Sequence, residues 1–381
     1  MENERAYWVA WSTIPGIGPI LLKRLQKHFG SLVGAWQATA TELLEVEGFG
    51  LLTVDTAIAK RRRIEPADFL QQHERQNPSF WTPADADYPR LLLEIPDSPA
   101  VLYYRGEVNW DELTGYAPMV AIVGTRSPSE YGRRWTRRIT ERLTQTGFTI
   151  VSGLAEGIDT EAHRSCLGQQ GRTIAVLGCG ADVVYPWSNR GLYQQIVQSG
   201  LILSEHPAGT KPDRMFFPRR NRIIAGLCRA TLLMEAGEKS GGLITAHFAN
   251  DYGRDVYVLP GSLDNSKAIG CLKLVNKGAH LIVDEQELVE MLGTVPSLDR
   301  LPPRITSSEV PPQVPQDLPS EMNQVLQAIT DLAAKAESQS VAFDRIAATT
   351  GLPAAEISVA LINLEMQDLI IALPGMQYQR S

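Results

Sequence analysis

The chain has 381 residues, 44% of them hydrophobic, so it can bury more than one core and is expected to form two or three domains. Its formal net charge of −7 argues at first against a nucleic-acid partner, because phosphate binding needs local positive potential. Residues 120–230 remove that objection, since they carry 15 Lys and Arg against 8 Asp and Glu, and 14 of those 15 cations are arginine.

The cysteines and the apolar segments exclude several classes of protein. Cys166, Cys179, Cys228 and Cys271 form no CxxC pair, so we expect buried, reduced thiols with no disulfide, metal or cofactor. The N-terminal sequence has no signal-peptide pattern, and no stretch approaches the roughly 18 apolar residues of a membrane span. These features predict a cytoplasmic protein.

Residues 1–75 are predicted to form a domain of short helices with glycine-marked joints. A turn at Gly16 and Gly18 precedes an amphipathic run, and a weaker copy follows at Gly48 and Gly50. This pair resembles a helix-hairpin-helix (or SAM-like) module, whose hairpin amides can bind a DNA phosphate. The alternative is that the hairpins only turn the chain, and the eight positive and eight negative side chains of residues 1–70 favour it.

A second domain is predicted over residues 80–293. From residue 119 short apolar runs alternate with helical segments, which is typical of parallel strands covered on both faces and joined by right-handed crossovers. The sequence therefore predicts an α/β fold with a doubly wound, Rossmann-like sheet, and an extension at 80–110 packed on that sheet. The predicted strands are 119–125, 148–153, 173–178, 201–206, 230–236, 255–261 and 280–284.

The C-terminal part is predicted to be a linker followed by a third domain. Residues 294–320 are rich in proline, which indicates an extended linker. Residues 321–381 show the order helix, turn, longer helix and β-like end, which is typical of a winged-helix domain. Because this domain carries 3 positive against 7 negative side chains, a protein or intramolecular contact is favoured over duplex binding.

The ends of the predicted strands carry glycine-rich motifs. They are GTRSPSEYG after the first strand, SGLAEGIDTEAH at the second, GCGADVVYP at the third and EAGEKSGGLITAH at the fifth. Ligands of doubly wound sheets bind at these ends, where glycine lets a phosphate approach the backbone and the next helix points its N-terminus at it. We expect several adjacent phosphates to be bound there.

The fourth strand leads to PDRMFFPRRNRIIAGL, residues 212–227, which combines two phenylalanines with four arginines. Aromatic faces stack on unpaired bases, guanidinium groups bind phosphate oxygens, and a helix N-terminus adds free N–H donors. Arg214 and Phe217 are expected to precede the helix and face DNA. The helix is expected to bury an apolar side formed by Ile223, Ile224 and Leu227.

Standard catalytic and nucleotide-binding patterns are missing from the sequence. GTRSPSEYG lacks the GxGxxG spacing, and there is no P-loop or GxSxG motif. We interpret Asp159 as a carboxylate that hydrogen-bonds helix amides. His163 is interpreted as a packed or capping histidine, because no nucleophile motif accompanies it.

Five motifs occur in an order that resembles the DNA processing protein A family (DprA or Smf): GTR at 124, SGLAEGIDTEAH at 152, FPRRNRIIAGL at 217, SGGLITA at 240, and LPGS followed by NKGAHL. The resemblance covers residues 80–293 and extends, less specifically, to both flanking domains. It implies a non-catalytic bacterial protein of natural transformation that protects incoming single-stranded DNA and loads the RecA recombinase. Single-strand binding protein and a second copy, joined through the sheet domain, are further implied partners.

The same resemblance implies a DNA pocket built around Arg126, Arg214 and Phe217, with further donors from the strand ends. Arg220 and Arg222 stay open between phosphate contact and structural ion pairing. The full set of candidate DNA-binding residues is Gly124, Arg126, Ser152, Gly153, Arg214, Phe217, Arg219, Arg220, Arg222, Lys239, Ser240 and Gly241.

An enzymatic alternative comes from related sheets that serve the cytokinin-activating "lonely guy" phosphoribohydrolases, in which the pocket hydrolyses a nucleoside monophosphate. That family relies on a PGGxGTxxE loop with a catalytic Glu. The nearest segments here, PGSLDNSKAIG and EKSGGLITAH, lack it. Binding is therefore favoured over catalysis.

Overall fold

The computed structural model describes residues 4–293, 319–335, 341–366, 369–373 and 377–380. The chain divides into two compact units, Met1–Leu301 and Pro302–Ser381. The predicted linker at 294–320 lies outside the described residues except for its last two. No helix in the described ranges is long and apolar enough to cross a membrane.

Six helices open the first unit: α1 (Glu4–Ser12), α2 (Pro19–Phe29), α3 (Leu32–Gln37), α4 (Ala40–Leu44), α5 (Leu51–Arg61) and α6 (Pro66–Gln76). The turns before α2 and α5 contain Gly16 and Gly48 at φ of +85° and +91°, a left-handed conformation that favours glycine. The helices surround Trp11 and Leu25, while Val9 of α1 joins a core shared with the sheet. The helical segment and the sheet therefore belong to one packed unit.

The sheet of this unit has nine strands: β1 (Phe80–Trp81), β2 (Leu102–Gly106), β3 (Met119–Val123), β4 (Thr149–Ser152), β5 (Thr173–Leu177), β6 (Leu201–Ser204), β7 (Ala230–Leu233), β8 (Asp255–Val258) and β9 (His280–Leu281). Their order is β1-β2-β6-β5-β4-β3-β7-β8-β9, and every neighbouring pair from β6 to β9 is parallel. The seven predicted strands are confirmed. Each ends earlier than predicted, because its last residues belong to the loops at the sheet edge.

The extension at 80–110 differs from its prediction. Instead of packing on the sheet, its strands continue it: β2 pairs antiparallel with β6, as in Tyr103 opposite Ser204, and β1 pairs antiparallel with β2. Trp81 of β1 stacks on Tyr104 of β2, with ring centroids 3.9 Å apart. This aromatic pair stabilises a short edge that carries few ladder hydrogen bonds.

Nine helices accompany the sheet: α7 (Arg90–Glu94), α8 (Trp110–Thr114), α9 (Glu130–Gln145), α10 (Ile158–Gly168), α11 (Arg190–Ser199), α12 (Phe216–Leu227), α13 (Gly242–Asp251), α14 (Ile269–Val275) and α15 (Glu285–Gly293). Alternate strand residues enter different cores, so Ala121 and Val123 face α12 and α13, whereas Val120 and Ile122 face α9 and α10. Helices thus cover both faces, and the predicted doubly wound fold is confirmed.

The second unit contains α16 (Ser320–Lys335), β10 (Val341–Ala342), α17 (Phe343–Thr350), α18 (Ala354–Met366), β11 (Ile370–Leu373) and β12 (Gln377–Arg380). Its strands form an antiparallel sheet in the order β10-β12-β11. Val325, Ile346 and Leu364 lie in its core. This is the predicted winged-helix domain.

Candidate nucleic-acid interface

The strand order creates a crevice at one place on the edge of the sheet. From β3 the chain winds through β4, β5 and β6 to one side, whereas β7, β8 and β9 lie on the other. The loops after β3 and β7 therefore diverge, which is where doubly wound sheets bind ligands. A cavity of about 830 Å³ opens at this point.

Eight of the twelve candidate residues line this cavity. They are Gly124, Arg126, Arg214, Phe217, Arg220, Lys239, Ser240 and Gly241. They come from the loop after β3, the turn before α12, the first turns of that helix and the loop after β7. Arg214 precedes α12 as predicted, but the prediction that Phe217 does so is wrong, because the helix begins at Phe216. Segments more than 100 residues apart in sequence thus form one site.

Phe217 forms the aromatic wall of the cavity. Its ring packs on the backbone of Gly178, where a Cβ would lie 2.9 Å from the ring. The Tyr185 ring lies beside it, with a centroid separation of 5.3 Å and an angle of 32°, and the Arg126 guanidinium carbon lies 5.7 Å from the Phe217 centroid. The ring is therefore held in place next to a cation.

Three exposed cations surround this wall: Arg126, Arg214 and Lys239. None of them has a carboxylate partner among the residues that the structure describes. In contrast, the Glu238 carboxylate at the rim is neutralised by Lys273, with Nζ 2.5 Å from Oε1. The cavity therefore has a net positive lining that can bind phosphates.

Arg220 and Gly153 have a structural role beneath the cavity. The buried Arg220 guanidinium donates through Nη1 to the Gly153 carbonyl at 2.6 Å and to the Val176 carbonyl. Asp159 accepts from the amides of Gly153 at 3.1 Å and Ala155 at 3.3 Å, so it bonds backbone amides as expected, but those of the loop after β4 and not those of the helix. Burial lowers the pKa of Arg220 to about 10, opposed by Asp159, and burial raises the pKa of Asp159. The pair therefore supports the floor of the cavity.

Three other candidates do not reach the cavity. Ser152 is fully buried, and its hydroxyl donates to the Ile122 carbonyl at 2.6 Å. Arg222 is buried in ion pairs with Glu205 and Asp97, which answers the open question in favour of structural pairing. Arg219 is exposed but lines a separate groove against the first hairpin of the helical segment. The structure thus brings Arg214, Phe217 and Arg220 of the PDRMFFPRRNR motif to the cavity, but not Arg219 or Arg222.

Sequence reasoning missed the carboxylate that holds the loops of the site together. Glu235 is 2% exposed and follows β7. Its Oε2 and Oε1 accept from the Ser129 amide and hydroxyl, each at 2.7 Å, and its carbonyl accepts from the Thr125 amide at 2.7 Å. Asn265 donates to the same carboxylate at 3.2 Å. Tyr185, Asn221 and Lys267 were also missed, and all three line the cavity.

His163 is buried against the neighbouring strand. Its Nδ1 lies 2.7 Å from Thr173 Oγ1, and burial lowers its pKa to about 3, with a smaller effect from Arg220. Because the folded pKa is depressed, this histidine's contribution to stability is complete above about pH 6.5 and is lost as the pH falls towards 3.

We therefore expect the free energy of unfolding to fall between pH 7 and pH 5, with about 2 kcal/mol of that loss coming from His163. Urea unfolding at both pH values measures the effect. In His163→Gln this part of the pH dependence should disappear, because glutamine cannot be protonated. An unchanged dependence in the variant would contradict the assignment.

The fold and this cavity define a class of doubly wound α/β proteins whose switch point presents an aromatic ring among unpaired cations. Comparison with known proteins gives the particular family. Residues 79–293 match the model of DNA recombination-mediator protein A, and residues 309–376 match the DprA winged helix domain. The chain belongs to the DprA (Smf) family, as its motifs predicted.

Known members of the family match this chain in sequence and in structure over most of its length. Protein Smf of Synechocystis sp. is 48% identical over 100% of this chain and 99% of its own. The crystal structure of DprA from Streptococcus pneumoniae is 33% identical, with a TM-score of 0.65 over 75% of this chain and 97% of that one. DprA from Helicobacter pylori, solved to describe its single-stranded DNA binding mode, is 33% identical, with a TM-score of 0.51 over 56% and 95%.

Proposed function

We propose that this protein binds single-stranded DNA in the cavity between β3 and β7 and does not turn it over. The observation that carries the proposal is the fixed Phe217 ring beside Arg126, with Arg214 and Lys239 around it and unpaired within the described residues. A ring face binds an unpaired base of any sequence, and the cations bind the phosphates on either side. A duplex keeps its bases stacked and hides them from the ring.

The groups in the cavity support binding rather than catalysis. Asp159 is engaged by two backbone amides and Arg220, and Glu238 is paired with Lys273. His163 is buried below the site in hydrogen-bond contact with Thr173. A general acid or base must be free to exchange a proton with the reacting atom, whereas Asp159 and Glu238 are engaged by these partners and His163 does not line the cavity. Release of free base from a nucleoside monophosphate would favour the phosphoribohydrolase alternative instead.

Membership of the DprA family supports a finer proposal. We assign to this protein the protection of incoming DNA and the loading of RecA onto it during natural transformation, with single-strand binding protein as a further partner. Such a role would take place in the cytoplasm. A homodimer through the sheet domain is also part of the proposal, supported by the exposed apolar side chains of Leu281 and Val283 at the β9 edge.

We expect binding to be salt-sensitive and selective for single strands. If Arg126, Arg214 and Lys239 each neutralise one phosphate, log K should fall against log salt with a slope of about −2, since each phosphate contributes about −0.7. Fluorescence anisotropy with labelled oligo(dT) and a matched duplex, over a series of KCl concentrations, measures both. Equal affinity for the duplex, or a slope near zero, would rule out this mode of binding.

A further inference from the structure

An exposed tryptophan lies on the loop next to the cavity and belongs to none of the hydrophobic cores of the described residues. Trp187 is 68% exposed, and it begins a single 3-10 turn, Trp187–Asn189, just after Tyr185 and Pro186. A tryptophan with this much apolar surface in water gains little from the fold, because burial is what makes the side chain stabilising. The exposed ring is therefore available to stack on a ligand.

The loop is anchored so that the ring is presented in a fixed place. Asn189 is buried, and its Nδ2 donates to the Leu154 carbonyl at 3.0 Å and to Thr160 Oγ1 at 2.8 Å. Ser188 donates to Glu156 Oε1 at 2.9 Å. These bonds tie the turn to the loop after β4 and to α10, so little ordering is needed on binding.

The surroundings of Trp187 repeat the arrangement of the cavity. The Arg190 guanidinium carbon lies 4.9 Å from the Trp187 centroid, as that of Arg126 lies 5.7 Å from the Phe217 centroid. Within the described ranges Arg190 forms no ion pair. Both sites thus combine a ring with a cation that is free to bind a phosphate.

Tyr185 connects the two sites. Its ring is 41% exposed and lies beside that of Phe217, two residues before Trp187 in the chain. A small pocket of about 100 Å³, lined by Arg126, Tyr185 and Phe217 among others, opens from the cavity on this side. Aromatic surface therefore continues from the cavity towards the exposed loop.

We propose that Trp187 and Arg190 form a second stacking subsite, which takes a base of the same DNA strand after it leaves the cavity past Tyr185. The inference rests on the proposed function and adds the direction in which the strand leaves. Glu156 is a carboxylate on this side; it lines the small pocket, and its Oε1 accepts a hydrogen bond from the Ser188 hydroxyl. The subsite accepts any base, because stacking needs only a flat ring.

The test is a length series of oligo(dT), from about 5 to about 30 nucleotides, bound to wild type, Trp187→Ala and Trp187→Phe. Short strands that fill only the cavity should bind wild type and Trp187→Ala equally. Longer strands should bind Trp187→Ala about fivefold or more weakly, the loss expected for one stacked base, and Trp187→Phe should recover most of it. Arg142→Ala on α9 serves as a control for an exposed side chain elsewhere.

Photocrosslinking gives an independent readout. Oligonucleotides with one 5-iodouracil at successive positions should crosslink to Phe217 or Tyr185 from one position and to Trp187 from a position a few nucleotides away. If wild type binds and Phe217→Ala weakens it, yet Trp187→Ala equals wild type at every length and residue 187 never crosslinks, the subsite does not exist. If Trp187→Ala impairs only RecA loading, the ring is a protein contact and the inference is wrong. Absence of any binding by wild type would instead overturn the proposed function.

Discussion

Replacing Arg126 and Phe217 together by alanine should lower the affinity for single-stranded DNA about 100-fold, which corresponds to about 3 kcal/mol. The ring supplies a stacking surface worth about 1 to 3 kcal/mol per base, and a hydrogen bond to a charged phosphate adds about 1.5 to 3 kcal/mol. The guanidinium is exposed and the ring half-buried, so the fold should survive. Anisotropy with oligo(dT) at fixed salt measures the loss.

The losses of binding free energy in the two single variants should not add up to the loss in the double variant. Arg126 lies over the Phe217 ring, so removing the ring also removes the surface that orients the guanidinium. Residues in contact couple by about 0.5 to 3 kcal/mol, and here we expect the double variant to lose less than the sum. Strict additivity would mean that the two side chains bind separate parts of the strand.

The control for this experiment is Arg142→Ala. Arg142 is exposed and lies twelve residues beyond the start of the same helix that follows the Arg126 loop, about 18 Å along its axis. Its removal changes the net charge by the same amount as Arg126→Ala. If both substitutions weaken binding equally, overall charge determines affinity and the cavity does not.

The sheet was predictable because its central strands are buried on both faces and therefore appear as continuous apolar runs. The two antiparallel edge strands, β1 and β2, were not predictable in this way. β1 has two residues, and the exposed end of β2 includes Arg105 and Gly106, so neither shows a strand pattern. Their place is decided by pairing with β6, which comes about 100 residues later in the chain.

The cavity was predictable in outline from the rule that ligands bind at strand ends. To predict which residues of the arginine-rich motif face the cavity, one must also know the helix register, that is, which residues share a face of α12. Phe217, Arg220, Asn221 and Ile224 line the cavity, and their spacing of three, four and seven residues places them on one face of α12. Arg222 points to another face and meets Glu205. The spacing was present in the sequence, but the start of the helix at Phe216 was needed to apply it.

The roles of two glycines, Gly153 and Gly157, could not be predicted from the sequence. Gly153 was interpreted as space for a phosphate, but a Cβ there would lie 2.3 Å from the Arg220 guanidinium. The glycine therefore makes room for a buried arginine that stands 67 residues later in the chain. In the sequence, a glycine that leaves space for a phosphate cannot be distinguished from one that makes room for a buried side chain. Only the contact across the fold separates a ligand site from the support beneath it.

Gly157 supports the site in the same way, and it gives the second large prediction. Gly157→Ala should lower both the stability and the DNA affinity of the protein. The residue has φ of +85°, and an added Cβ would lie 2.4 Å from the Thr125 carbonyl and 2.6 Å from the Arg126 backbone. Positive φ costs an alanine about 1 to 2 kcal/mol, and the clash is with main chain that cannot rotate away. The Arg126 loop must therefore shift.

Gly147→Ala is the matched control. Gly147 has φ of +87°, yet nothing lies within 4 Å of an added Cβ. This variant should lose about 1 kcal/mol of stability, through strain alone, and keep its affinity for oligo(dT). Gly157→Ala should lose more stability and at least about tenfold in affinity, because a small displacement of Arg126 removes it from the Phe217 ring. Thermal melts and anisotropy measure the two effects, and unchanged affinity in Gly157→Ala would show that the Arg126 loop keeps its position without this glycine.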